Sequence, residues 1–273
     1  MSRTALVTGA SSGLGAEFAR QLAARGADLV LVARDRAALR DISERLRADY
    51  RVQVEVLAAD LVADDGLASV VARVADRQRP IGILVNNAGF GLDLDFAAGD
   101  ITDEQRHLDL HVRATMHLTH AALGAMLERG HGRIVNVASV AGFMPRGTYG
   151  AVKAWVISSS RWANAVYAPR GVTVTALCPG FTHTNFHERL GLPPGREGIP
   201  SVMWLDAADV VREGLRDAAR GKAVSIPSAR YKLLVAAMRL LPSPLAARLA
   251  RTGRRRVGDD ALVVCSDGVA ASR

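Results

Sequence analysis

Tyr149 and Lys153 stand four residues apart in Tyr149-Gly150-Ala151-Val152-Lys153, a stretch with helical composition. Four residues make about one helical turn, so both side chains share a face and can approach one ligand. A cation near a phenol lowers its pKa from about 10 toward working pH, as a tyrosine needs in order to give or take a proton. A Tyr one turn from a Lys is also commonplace on helix surfaces, so this pair needs company. Ser139 follows a short apolar run, where a serine is ordinarily a cap or turn residue. Near the N-terminus, Thr8-Gly9-Ala10-Ser11-Ser12-Gly13-Leu14-Gly15 follows another such run and opens onto a helical pattern. Glycines there let the backbone turn tightly and approach a pyrophosphate, whose charge is favoured at a helix N-terminus. Their spacing differs from the common dinucleotide fingerprint.

The elements that must position these residues are legible as apolar runs alternating with amphipathic stretches. Residues 5–7, 29–32, 52–57, 83–85, 134–137, 172–177 and 223–226 are predicted strands. Helices are predicted over 15–25, 35–48, 64–77, 103–129, 149–167 and 207–220. This alternation predicts an α/β fold, a doubly wound, Rossmann-type seven-stranded parallel sheet flanked by helices, with ligands at the carboxyl ends of the strands. At 273 residues the chain fits one domain, assigned to 1–253. The Pro- and Gly-rich stretch 182–205 is too long for an ordinary connection and is read as a substrate loop. Residues 254–273 have the small, polar composition of a disordered tail.

Two cysteines far apart, Cys178 and Cys265, make neither a disulfide framework nor a CxxC pair, which fits a reducing compartment. With no signal-peptide pattern and no bilayer-spanning run, the expected location is cytoplasmic. Charge is uneven. Residues 220–256 hold ten Lys/Arg and no Asp/Glu, and removing those ten from the formal +8 leaves the remainder at −2. The basic excess is thus confined to the C-terminal segment, whereas a nucleic-acid protein more often carries basic residues beside aromatic stacking groups on its main binding surface, which argues against nucleic acid as a partner. Within 228–253 basic residues mix with leucines around Pro242 and Pro244, a broken basic amphipathic segment. It either covers its own domain or an oligomer partner, or makes peripheral contact with an anionic membrane.

Further motifs follow in order: Asn86-Asn87-Ala88-Gly89 after the fourth strand, Ser139 after the fifth, Tyr149-x3-Lys153, then Pro179-Gly180. With Thr8-Gly9-x3-Gly13-x-Gly15, this set resembles the short-chain dehydrogenase/reductase family from Arg3 to about Pro227. The resemblance implies an NAD(P)-dependent oxidoreductase that moves hydride between nicotinamide and a carbonyl or secondary alcohol. It implies Tyr149 as acid/base, Ser139 as hydrogen-bond partner of the substrate oxygen, and Lys153 as holder of the nicotinamide ribose that lowers the Tyr149 pKa. For cofactor binding it points to Gly9, Ser11, Ser12, Gly13, Leu14 and Gly15, to Asp60 on the adenine side with Leu61, and to Asn87, Ala88 and Gly89. Pro179, Gly180, Thr182 and Thr184 belong to the nicotinamide end. A homodimer or homotetramer is implied as well.

The chain departs from the family twice. His111 stands where a water-binding asparagine is expected, and it either binds that water through a ring nitrogen or packs as a helix residue. The stretch from Ser139 to Tyr149 is a few residues shorter than usual. Cofactor choice turns on the end of the second strand, where NAD users of the family place an acid that would repel a 2′-phosphate. Here Val32-Ala33-Arg34 offers a guanidinium instead, which points to NADP(H) over NAD(H) and, since NADPH is normally held reduced in cells, to carbonyl reduction. The alternative for Arg34 is a surface arginine partnered with Asp35. His107 with His111, and His117 with His120, have metal-compatible spacing, but this chemistry needs no Lewis acid and no metal is expected. Phe90, Leu92, Phe143, Met144, Phe186, Leu190, Leu192, Met203 and Trp204 either wall an apolar substrate or cover the core. Two other functions fit the same residues: a catalytically silent NADP-binding regulator or scaffold, and a membrane-surface reductase of acyl or sterol lipids.

Overall fold

A computed structural model of the chain describes residues 4–92, 96–184 and 200–240. Its strands are β1 (Ala5–Thr8), β2 (Leu29–Ala33), β3 (Val54–Ala58), β4 (Ile83–Asn86), β5 (Gly132–Val137), β6 (Val172–Leu177) and β7 (Val224–Ser225). They form one parallel sheet in the order β3-β2-β1-β4-β5-β6-β7. The direction of winding reverses between β1 and β4. Ala5 is paired with Leu29 on one side and Ile83 on the other, so the loops after β1 and β4 leave from neighbouring strand ends. A ligand-binding crevice belongs at such a switch point.

The helices are α1 (Gly13–Ala23), α2 (Arg36–Tyr50), α3 (Asp64–Ala75), α4 (Ile101–Leu108), α5 (Thr115–Arg129), α6 (Gly147–Tyr167), α7 (Ala207–Ala219) and α8 (Ala229–Leu240). Side chains of a strand alternate between faces, and the core divides accordingly. Val7, Leu29 and Leu31 pack with Phe18, Leu22, Leu39 and Leu215 of α1, α2 and α7. Leu6, Val30 and Val32 pack with Val70, Leu118, Met126 and Ala163 of α3, α5 and α6. Each fully buried Leu or Phe contributes about 1.5–3 kcal/mol, so two full faces make a stiff platform for the loops at one end.

Two sequence expectations need correction. The helix predicted over 103–129 is divided, because a π-helical turn at Asp109–Ala114 separates α4 from α5. The third strand starts at Val54 rather than Val52, since Arg51 adopts a left-handed conformation at φ 55° and the chain only then joins the sheet. Residues 185–199 of the predicted substrate loop, with Phe186, Leu190 and Leu192, lie outside the described residues, as do the tail and the basic segment beyond Leu240.

Candidate active site

The loop after β1 is built on glycine geometry. Gly9 and Gly13 have φ of +65° and +54°, a region glycine enters without steric cost. A Cβ on Gly15 would lie 2.1 Å from the Gly9 carbonyl oxygen, so this loop closes only with glycine there. It is tied to β4 by Thr8, whose hydroxyl accepts from the amides of Asn87 and Ala88 at 2.9 and 3.0 Å. Asn87 returns the link by donating through Nδ2 to the Thr8 carbonyl at 2.9 Å. The first strand's loop and the Asn-Asn-Ala-Gly turn are therefore one rigid unit. Ser11, Ser12 and Leu14 lie in that loop, with α1 starting at Gly13.

Asn86 takes no part in that tie. Its amide donates to Asn136 at 2.8 Å and to Thr119 at 3.2 Å, and Asn136 donates to Ser160 at 3.0 Å. This buried chain fixes β4 and β5 to α5 and α6, directly behind the reacting residues.

Ser139 begins a 3₁₀ turn at Val140–Phe143 and caps it, accepting from the Ala141 amide at 3.1 Å. Its side chain is also hydrogen-bonded to the Tyr149 phenol. The cap role and the site role thus coexist, and the short connection from Ser139 to Tyr149 still brings the two hydroxyls together. Lys153 follows one turn along α6, with Nζ 5.7 Å from the Tyr149 ring centroid and donating to the Val137 carbonyl at 2.8 Å. Burial lowers the Lys153 pKa to about 8 and raises Tyr149 to about 12, the latter opposed by the Ser139 hydrogen bond and the Arg146 charge. For the phenol, desolvation thus outweighs its favourable partners.

Sequence reasoning left His111 between two roles, and its ring is packed. Nε2 lies 2.8 Å from the Phe90 carbonyl and 3.2 Å from its amide, so it donates to the first or accepts from the second according to tautomer. The ring also lies flush on Gly89, where a Cβ would come within 2.5 Å of Cε1. Burial, with the nearby Lys153 and His107, holds its pKa well below the ordinary value, so the ring is neutral. His107 was considered only as half of a metal pair. It is 0 % exposed, with its ring centroid 4.4 Å from His111, 5.5 Å from Phe90 and 6.0 Å from Tyr149. Burial first, then the Lys153 charge, lowers its pKa to about 4. An apolar residue would ordinarily hold such a position, and only the i, i+4 spacing to His111 hinted at this cluster.

The remaining predicted residues ring the same end of the sheet. Asp60 follows β3 and accepts from the Val62 amide at 3.0 Å, beside buried Leu61. Arg34 follows β2, exposed and without an ion-pair partner among the described residues; Asp35 instead caps α2 by accepting from Ala38 at 3.0 Å. The proposed Arg34–Asp35 pairing is thus absent there. Pro179 accepts from the Val140 amide at 3.0 Å, which links the nicotinamide-end motif to the Ser139 turn. Thr182 donates to the Gly180 carbonyl at 3.0 Å, and Thr184 reaches across so that a Cβ on Gly13 would lie 3.3 Å from its own. Of the predicted apolar wall, Phe143 and Met203 pack onto the core, whereas Phe90 sits on the two histidines.

The residues of the first and fourth strand ends, the serine, the tyrosine and the lysine thus converge at one crevice. A model of short chain dehydrogenases matches residues 3–193. The chain is a short-chain dehydrogenase. Among solved structures, a short-chain dehydrogenase from Sphingobium yanoikuyae in complex with NADPH is 34% identical, with 99% of each chain covered and a TM-score of 0.78. The bulky-bulky ketone specific alcohol dehydrogenase from Comamonas testosteroni is 31% identical, covering 98% of this chain and 96% of that one, with a TM-score of 0.74. A 3-oxoacyl-[acyl-carrier-protein] reductase from Synechocystis is 34% identical over 213 residues, 77% of this chain and 86% of the relative. As a short-chain dehydrogenase, the protein is an NAD(P)-dependent oxidoreductase. No described helix is long and apolar enough to cross a membrane.

Proposed function

We propose that this enzyme is an NADPH-dependent reductase of apolar ketones, with Tyr149, Ser139 and Lys153 as its reacting groups. The observation that carries this reading is the hydrogen-bonded Ser139–Tyr149 pair, one helical turn from buried Lys153 and at the same end of the parallel sheet as the glycine cradle. The cradle fits a dinucleotide: positive-φ glycines and the start of α1 favour a pyrophosphate, Asp60 can meet the adenine, and Arg34 stands free for a 2′-phosphate. When bound, the reduced nicotinamide supplies the hydride. Ser139 holds the substrate oxygen, Tyr149 donates the proton that this oxygen takes up, and Lys153 supplies positive charge beside the phenolate left behind. His111 and Gly89 keep that end of the crevice closed.

Apolar substrates are supported by Phe90 and by the ketone and ketoacyl specificities named for two relatives. Self-association through α5 and α6 is part of the proposal, supported by exposed Met116, Trp162 and Val166. Residues 1–253 are proposed as the catalytic unit. Retention of Tyr149 and Lys153 argues against a silent scaffold. Against lipid binding, Lys232 of α8 pairs with Glu213 at 2.6 Å and Arg230 bonds the Val202 carbonyl, so both cations serve the domain itself. NADPH oxidation screened across bulky ketones, aldehydes and 3-ketoacyl thioesters tests the reading. Tyr149→Phe keeps the ring and should reduce turnover by about two orders of magnitude or more while NADPH still binds. Near-normal turnover in that variant would remove Tyr149 from the mechanism.

A further inference from the structure

The basic C-terminal segment carries a residue that no motif of the family-like set includes. Tyr231, on α8, is 1 % exposed, and its ring lies against Gly180, where a Cβ would come within 1.9 Å of Cζ. Its hydroxyl accepts from the Phe181 amide at 3.0 Å and donates to the Met203 carbonyl at 2.8 Å. These two partners stand on opposite feet of the segment that leaves β6 and returns to α7. The feet are joined to each other by a bridge between Thr182 and Leu205, with Leu205 donating to Phe181 at 2.8 Å and His183 to Leu205 at 3.0 Å. Trp204 stacks on His183 at 4.7 Å across the same junction.

From that stem the contacts run inward. Gly180 and Thr182 are joined at 3.0 Å, Thr184 fills the space a Cβ on Gly13 of the glycine cradle would need, and Pro179 accepts from Val140 just beyond Ser139. Helix α8 also packs against the Val140–Phe143 turn itself. We infer that Tyr231 is a positioning residue of the active site, clamping both feet of the 182–205 segment so that Gly180, Thr182 and Thr184 face the cofactor. A tyrosine suits the task because its ring fills the space that glycine leaves while its hydroxyl serves one donor and one acceptor. The C-terminal helix is then a working part of the catalytic unit. This assignment rests on the nicotinamide and carbonyl reading of the crevice.

Tyr231→Phe keeps the ring over Gly180 and deletes both hydrogen bonds. Their loss should raise the Kd and the KM for NADPH by about tenfold, with kcat at saturation within about twofold of wild type. Glu213→Gln is the control. It weakens the Lys232 pair and the contact from the Ser228 amide that hold α8 on α7, without touching the stem, and should lower the melting temperature but leave Kd and KM unchanged. Unchanged Kd and KM in Tyr231→Phe, or the same rise in Glu213→Gln, would overturn the inference, the second by showing that any loosening of α8 suffices. Should Tyr231→Phe not fold, hydrogen exchange in the wild-type protein decides: the Phe181 amide must exchange as slowly as the β6 amides, and fast exchange contradicts the clamp. A wild-type protein that binds no NADPH would overturn the cofactor reading instead, leaving the Phe181 result to judge the clamp.

Discussion

At the scale of single residues, the site combines groups whose charge states burial sets. Lys153 and Tyr149 are pushed toward neutrality from opposite sides, and the two histidines beside them are held neutral. This has a consequence for acid stability. Because the folded state holds His107 near 4 while an unfolded histidine titrates near 6.5, the unfolded chain binds the extra proton between those values. The contribution of neutral His107 to stability is therefore complete above pH 6.5 and is lost as pH falls toward 4. His107→Leu should flatten that limb, measured as denaturant midpoints at pH 7.5, 5.5 and 4.5. A variant whose midpoint falls as steeply as wild type would place the acid sensitivity elsewhere. Tyr149, Lys153 and Ser139 were singled out in the sequence by a motif order that resembles the family, whereas His107 was not, because its significance comes from packing against Phe90 and Tyr149.

At the scale of elements, all seven strands were legible because parallel strands buried on both faces are near-continuous apolar runs. The π-turn at Asp109–Ala114 was not; its His111 lies on Gly89, a contact between distant segments that local spacing does not record. Tyr231 was illegible for the same reason, its partners being 50 and 28 residues away. The glycine loop and the end of β2 carry their own predictions. Gly15→Ala forces a methyl against the Gly9 carbonyl, so it should cost about 1–3 kcal/mol of stability and weaken NADPH binding at least tenfold by fluorescence titration. Wild-type affinity in that variant would mean the cradle does not hold the dinucleotide. Arg34→Ala should weaken NADPH use by about ten- to a hundredfold, since a charge-assisted hydrogen bond contributes about 1.5–3 kcal/mol. NADH has no 2′-phosphate and its KM should barely move. Equal losses with both cofactors would displace the phosphate site from Arg34.

At the scale of the whole molecule, the winding reversal between β1 and β4 gathers residues from positions 9 to 184 at one edge, and α8 braces that edge from behind. In the proposed reaction this edge passes hydride from NADPH to a ketone carbon. The direct measurement uses NADPH deuterated at C4 on the transferred side, with a bulky ketone as acceptor and mass spectrometry of the product. One deuterium on the new carbinol carbon, formed in step with cofactor oxidation and nearly abolished in Tyr149→Phe, is the predicted result. Cofactor oxidation without deuterium in the alcohol, or labelled alcohol formed at the wild-type rate by Tyr149→Phe, would contradict it.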